Sequence, residues 1–298
     1  MLLALAVTLT SLIGIALSSF ILSRGIEALE ESFGQGTAGG LILGFIESLP
    51  ETIVVIEALA LKSPQIAIGA SLGGSIILFT LMSGIVVLSS YLKERGPLLL
   101  REDYKTEAIF NLGAVMCVLI ILFFFEVNLV SGVILIAFYL LYSALRIKRR
   151  KGGKIKIRNL IQILIAVALT VVIAPFFLSN LILLSTQTRI PLIWLSLVIS
   201  PIGADVEELI NGLILALMGK GSIAIVSFLG AKLENFTLLL GFTGLFYEVN
   251  LRLYYSEVFP SILFSLIFIL LVFRGKIGRI EGVILILLYF LAISIPFL

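Results

Sequence analysis

The chain has 298 residues, 60% of them hydrophobic and 13% charged, with a formal net charge of +3. Soluble domains carry about 25% charged residues, so the composition excludes a soluble globular domain, and its long unbroken apolar runs argue against a β-barrel. With no His and a single Cys, Cys117, it also excludes Cys/His metal centres, an intrachain disulfide, and Ser-His-Asp or Cys-His catalysis.

A membrane-spanning helix needs roughly 20 apolar residues. About ten stretches qualify: 2–22, 37–61, 64–91, 106–125, 127–145, 160–184, 190–218, 221–247, 257–273 and 279–297. The predicted fold is therefore an all-α polytopic membrane protein. The first stretch has no basic n-region and no small-residue cleavage site, so it reads as a first membrane helix and not as a removed signal peptide. Pro50, Gly73-Gly74, Pro201 to Gly203 and Gly230 are the expected helix breaks. Broken backbone at membrane depth is tolerated only where protein or a polar cavity covers it. Cys117, inside an apolar run, is expected to be inert packing.

The loop after the fifth stretch, Arg146 to Arg158, holds eight cations and no anion. The positive-inside tendency places it in the cytoplasm. Alternating sides from there puts 17 Lys and Arg in inside loops and only Lys62, Arg189 and Arg252 outside. That asymmetry predicts both termini outside, in the plasma membrane. The same loop is expected to touch anionic lipids. The predicted organisation is a five-helix repeat over 1–147, a basic cytoplasmic loop over 148–158 and a second five-helix repeat over 159–298.

Two stretches match each other at an offset of 157 positions. Glu51 pairs with Glu208, Ile66-Ala67-Ile68 with Ile223-Ala224-Ile225, Leu72-Gly73 with Leu229-Gly230, Phe79-Thr80-Leu81 with Phe236-Thr237-Leu238, and Gly84 with Gly241. With Ile53 and Ile210, residues 51–84 give 11 identities without a gap. An odd number of helices per half inverts the second copy, and sites in such proteins lie near the midplane at broken helices.

Seven carboxylates stand out within the apolar stretches: Glu47, Glu51, Glu57, Asp205, Glu207, Glu208 and Glu234. Each costs about 2.5–3.5 kcal/mol at a helix centre, so they should face a cavity, a cation or one another. Glu47 and Glu51 share a helix face, as do Asp205 and Glu208. Such close like charges require a cation or a proton among them. Oxygen ligands of this kind suit Ca²⁺, which takes roughly 6–8 of them at about 2.3–2.6 Å. Glu57, near Lys62, reads as interfacial. Glu207 points about 100° away from Glu208 on an ideal helix.

Ile46-Glu47-Ser48-Leu49-Pro50-Glu51 and Gly203-Ala204-Asp205-Val206-Glu207-Glu208, each followed by a Gly-containing stretch, resemble the signature repeats of the cation/calcium antiporter superfamily. That superfamily contains sodium/calcium and proton/calcium exchangers, and its repeats typically read Gly-Thr-Ser-Leu-Pro-Glu, then a Gly-Ser-Asn stretch. The resemblance covers 46–84 and 203–241. It implies that Glu51 and Glu208 are the central Ca²⁺ carboxylates, with Ser48 and Asn235 at matching ligand positions. Departures are Leu78 for Asn or Asp, Gly74 and Ala231 for Ser, Ala204 for Thr, and new charges at Glu47, Asp205, Glu234 and Lys232. Lys232 is expected to occupy the neighbourhood of a cation site and pair with an acid there, in place of bound Na⁺. Its other reading is a structural salt bridge to Glu207 or Glu234.

The expected function is antiport of a divalent cation, Ca²⁺ first, against Na⁺ or H⁺ by alternating access. The expected metal-site residues are Glu51, Glu208, Ser48, Asp205, Asn235, Glu47 and Glu234. No resident cofactor is expected beyond the transported cation, no nucleic-acid partner, and a monomer. The alternatives are transport of Mg²⁺, Mn²⁺ or a monovalent cation, or an intramembrane enzyme using Asp/Glu chemistry.

Overall fold

The computed structural model describes residues 1–33, 48–101, 104–146 and 157–297, without the side chains of 27–33, 146 and 296. Glu47 and most of the basic loop lie outside the described residues. In chain order the helices are α1 (Leu2–Phe33), α2 (Leu49–Ala60), α3 (Pro64–Ile76), a π-helical turn (Ile77–Met82), α4 (Ser83–Glu94), α5 (Tyr104–Phe124), α6 (Leu129–Arg146), α7 (Ile157–Thr188), α8 (Leu192–Ala204) and α9 (Val206–Leu217). They continue with α10 (Gly221–Glu234), a second π turn (Asn235–Leu239), α11 (Leu240–Phe246), a 3₁₀ turn (Leu251–Tyr254), α12 (Tyr255–Phe273) and α13 (Arg279–Ser294). Among the described residues six helical stretches are long and apolar enough to cross a membrane: Leu2–Ile26, Pro64–Glu94, Tyr104–Phe124, Ile157–Thr188, Gly221–Phe246 and Leu251–Phe273.

Two expected breaks fall elsewhere. Gly73-Gly74 and Gly230 sit in continuous helix, and the irregularity comes a few residues later, as the π turns. Glycine weakens a helix by only about 1 kcal/mol. A π turn keeps its backbone N–H groups bonded, which matters where no water can replace a lost partner. Similarly, the stretch 190–218 is two helices. Pro201 stays inside α8, and the chain bends at Asp205, whose N–H still donates to the Pro201 carbonyl at 2.9 Å.

The chain forms two compact units interleaved in sequence: Met1–Ala70 with Ile136–Glu207, and Ser71–Leu135 with Glu208–Leu298. In the first, α1 packs antiparallel to α7. Gly14 faces Ile173 and Gly25 faces Ile163, so the missing side chains let large aliphatics close in. Leu22, Ile26, Ile163 and Ala166 form a buried cluster there. Hydroxyls along α1 bond their own helix, Thr8 to the Ala4 carbonyl at 2.8 Å and Ser19 to the Ile15 carbonyl at 3.0 Å, which removes the cost of leaving them unpaired in apolar surroundings. Gln162 ties the helices further by donating to the Ile21 carbonyl at 2.9 Å.

In the second unit, contacts recur in corresponding pairs. The backbones of α4 and α13 meet at Gly84 and Gly282, where a Cβ on Gly84 would lie 2.6 Å from the Gly282 carbonyl oxygen. Those of α6 and α11 meet likewise, a Cβ on Gly132 lying 2.7 Å from the Gly241 oxygen. Leu98 pairs with Ile277 in a two-residue antiparallel ladder, and Val127 pairs with Val249 in an isolated bridge. Asn111 donates from Nδ2 to the Leu229 carbonyl at 2.8 Å, and Ser261 donates to the Leu72 carbonyl at 3.3 Å. The π turns meet through Phe79 and Phe236, with ring centroids 6.5 Å apart, and Phe79 stacks on Phe268 at 4.8 Å. Asn111→Ala should cost about 1 kcal/mol, measured as a lower midpoint of thermal unfolding in detergent. An unchanged midpoint would show that the Leu229 bond carries no weight.

Candidate functional site

Glu51 and Glu208 occupy the same place in two helices of equal length. Each is the third residue of its helix, α2 or α9. The positive end of a helix dipole favours an anion there. Ser48 sits at the N-cap of α2, and Pro50 in its first turn needs no donor. Asp205 lies at the hinge between α8 and α9, so the bend carries an acid where the backbone is least regular.

In the first unit, Glu51 is 8% exposed and Asp205 1%. A carboxylate oxygen of each lies within 4.8 Å of the other. Two negative charges at that separation repel by about 3 kcal/mol at an effective dielectric of about 20. A hard cation placed between them turns that repulsion into attraction. Ser48 and Thr52 are buried beside Glu51 in sequence, and the Thr52 hydroxyl is buried without a hydrogen-bond partner. Thr52 is a residue the sequence reading passed over, since a hydroxyl in an apolar helix gives no signal by itself.

In the second unit, Lys232 is fully buried, and its Nζ lies 3.6 Å from Glu208 Oε1. Glu234 is buried two residues on, and Asn235 opens the second π turn. Both amide atoms of Asn235, and the Ser75 hydroxyl, are buried without hydrogen-bond partners. Buried amides are rarely left so; a hard cation would take the Asn235 Oδ1 and the Ser75 hydroxyl oxygen, whereas the Nδ2 group needs an acceptor. The two π turns differ here. Leu78, fully buried, stands where the offset of 157 puts Asn235.

Glu207, 9% exposed, belongs to the first unit, and Glu57 is half-exposed near the end of α2. Glu47 lies outside the described residues. Two further acids went unremarked in the sequence: Glu107 and Glu257, 1% and 7% exposed, in the first turns of α5 and α12. Each precedes by four residues the side chain, Asn111 or Ser261, that donates to a helix carbonyl. The repeat does reveal them, but at an offset of 150 rather than 157, so a gapless comparison misses the match. Cys117 is half-buried in the wall of an apolar groove of about 420 Å³ that also includes Ile120, Phe125 and Ile134, away from these acids in sequence.

The family model described as "Sodium/calcium exchanger protein" matches residues 3–148 and 158–298. The chain is similar to Sodium/calcium exchanger MaX1 of Methanosarcina acetivorans, 29% identical over 146 residues, a stretch covering 48% of this chain and 41% of that protein. The chain thus matches less than half the length of that relative. Its fold resembles that of the H⁺/Ca²⁺ exchanger CAX, with a TM-score of 0.84 over 97% of this chain and 81% of that one at 17% identity. It also resembles the sodium-calcium exchanger NCX_Mj soaked with Na⁺ and Ca²⁺, with a TM-score of 0.65 over 98% of both chains at 20% identity.

Proposed function

The chain belongs to the sodium/calcium exchanger protein family, membrane transporters and not enzymes, and from that premise we propose that it is a secondary antiporter exchanging a divalent cation, Ca²⁺ first, for Na⁺ or H⁺. It is a multi-pass membrane protein, and its membership of a transporter family sets the intramembrane-enzyme alternative aside. The observation that carries the reading is the approach of Glu51 and Asp205 within 4.8 Å in buried surroundings. Glu208, three residues after Asp205, contributes a further carboxylate, and Ser48 and Asn235 supply neutral oxygens. Glu234, and Glu47 by its place four residues before Glu51, lie at the margin of this set. A divalent cation and monovalent cations compete for the same carboxylates, which is what antiport requires.

The architecture in this proposal is two inverted five-helix repeats, 1–147 and 159–298, joined by the basic loop 148–158 on the cytoplasmic side. Both termini then face outside the plasma membrane, the loop touches anionic lipids, and the chain works as a monomer. Supporting it, α2 and α9 coincide at the offset of 157 residue for residue, and the π turns coincide over 78–82. Gly84 against Gly282 and Gly132 against Gly241 are one contact seen twice, as are Leu98 with Ile277 and Val127 with Val249. Alternating access comes from movement of one helix group against the helices that hold the acids.

A second reading, transport of Mn²⁺ or Mg²⁺, is favoured by the buried Leu78, which withholds an oxygen that Asn235 offers in the other half. Fewer protein oxygens suit a smaller ion that keeps its own waters. Radiolabelled Ca²⁺ uptake into proteoliposomes under imposed Na⁺ or H⁺ gradients tests both. Gradient-driven uptake that Mn²⁺ or Mg²⁺ competes poorly supports the first reading, and strong competition by either supports the second. No gradient-driven flux of any of the three ions would sink the antiporter assignment.

A further inference from the structure

The apolar groove beside Cys117 lies wholly in the second unit. Its lining follows α5 from Cys117 towards Phe125 and takes in the start of α6 as far as Leu135. Ile120, Phe125, Val130 and Ile134 are exposed, so the groove is open along its outer side. In a membrane protein that side meets hydrocarbon, and α5 is one of the stretches long enough to cross a bilayer.

The strongly polar residues of the lining, Glu126, Asn128 and Ser131, gather at one end, where α5 stops and α6 starts. Asn128 Oδ1 caps α6, accepting from the N–H groups of Val130 and Ser131 at 3.1 Å each. Glu126 Oε1 accepts from Asn250 Nδ2 at 3.0 Å, and Asn250 Oδ1 accepts from the Arg252 N–H at 3.0 Å. The Arg252 guanidinium closes the end of α5, with Nε donating to the Leu122 carbonyl at 3.1 Å and Nη2 to that of Phe123. A guanidinium has five N–H donors and a carboxylate two acceptor oxygens, so both groups keep hydrogen-bonding capacity to spare. One end of an apolar groove thus carries an anion and a cation on a single hydrogen-bonded chain.

Size narrows the choice of occupant. From Cys117 to Phe125 the groove follows α5 for eight residues, which is about 12 Å. A volume of about 420 Å³ over that length gives a section of about 35 Å². A helix about 10–12 Å across has more than twice that section, so a helix of a second copy does not enter, whereas one extended hydrocarbon chain does. We propose that the groove holds one chain of a phospholipid with a zwitterionic headgroup, its ammonium on Glu126 and its phosphate on Arg252. The chain runs past Phe125 and Ile134 towards Cys117 and restores the dispersion contacts that an empty groove forfeits.

Cys117 is the sole cysteine, so its thiol reports whether the groove is filled. Purified protein stripped of lipid in detergent is titrated with phosphatidylethanolamine or phosphatidylglycerol. Bound lipid is counted by native mass spectrometry, and reaction of Cys117 with an apolar maleimide is timed. One phosphatidylethanolamine should bind per chain, about fivefold tighter than phosphatidylglycerol, which lacks the ammonium. At ten times its Kd it should slow labelling about tenfold, because the free fraction falls to about one in eleven. Ile134→Trp, at an exposed position, should fill the groove and retain no lipid while still folding. Glu126→Gln keeps the bond from Asn250 and should erase the preference between the two lipids. Wild-type labelling that lipid leaves unchanged overturns the proposal whether or not any variant folds. Equal binding of the two lipids, a preference that persists in Glu126→Gln, or undiminished retention by folded Ile134→Trp overturns it too. So does a stable dimer whose Cys117 is protected without lipid, since a second copy then covers the groove.

Discussion

Glu51→Gln is expected to lower gradient-driven Ca²⁺ uptake by about thirtyfold or more, because removing one member of a desolvated set of charges costs about 2–5 kcal/mol. The amide keeps the size of the side chain and most of its hydrogen bonding, so the loss reports charge. It should not report misfolding: Asp205, at most 4.8 Å away, no longer faces a like charge, and the unloaded protein should be no less stable. Glu51→Asp keeps the charge on a shorter stem and should retain part of the uptake. Asp205→Asn should weaken uptake too, and the double variant should lose less than the two single losses combined, since both side chains would hold one ion. Unimpaired uptake by monodisperse Glu51→Gln protein would remove Glu51 from the site. Independent, additive effects of Glu51 and Asp205 would argue against a shared ion.

Gly84→Leu and Gly132→Leu should yield little or no monodisperse protein. A Cβ at Gly84 would lie 2.6 Å from the Gly282 carbonyl oxygen, and at Gly132 2.7 Å from the Gly241 oxygen. Both obstacles are backbone, which cannot swing aside as a side chain does. Overpacking a core costs about 1–3 kcal/mol even where side chains can adjust, so parting two helix backbones should cost more. Gly96→Leu is the control. Its added Cβ would meet only the Glu94 carbonyl, at 3.9 Å. Size-exclusion profiles and thermal unfolding in detergent compare the three. Normal folding of the Gly84 or Gly132 variant would mean that these close approaches are not needed.

Much of the site could be read from the chain because charge inside an apolar run is costly and therefore informative. Glu51, Asp205, Glu208 and Lys232 drew attention for that reason, and the structure brings Glu51 to Asp205 and Lys232 to Glu208. Which acid Lys232 faces was not legible. The sequence pointed to Glu207 or Glu234, whereas the structure shows an ion pair with Glu208, a contact set by tertiary packing. The positions of the helix irregularities were also hidden. Gly73 and Gly230 look like weak points, yet the π turns come after them, because backbone bonding in an apolar medium outweighs local propensity. Glu107 and Glu257 were missed since they stand in the first turns of their helices, where an acid passes for an ordinary interfacial residue.

The paired π turns also bear on the history of the chain. A π turn amounts to one residue inserted into an α-helix. Ile77–Met82 and Asn235–Leu239 hold that extra residue at matching positions, each with a threonine, Thr80 or Thr237, bonded to the carbonyl four residues back. One insertion inherited twice is a simpler account than two separate ones at corresponding places, which fits the proposed repeat; under it, Leu78, Ser75, Asn235 and Lys232 are later differences between the copies. The insertion also sets the rotation of the next helix. Removing one residue from the first turn would rotate α4 by about 100° about its axis, carrying Gly84 away from Gly282. This shared irregularity thus sets the aim of a glycine contact downstream.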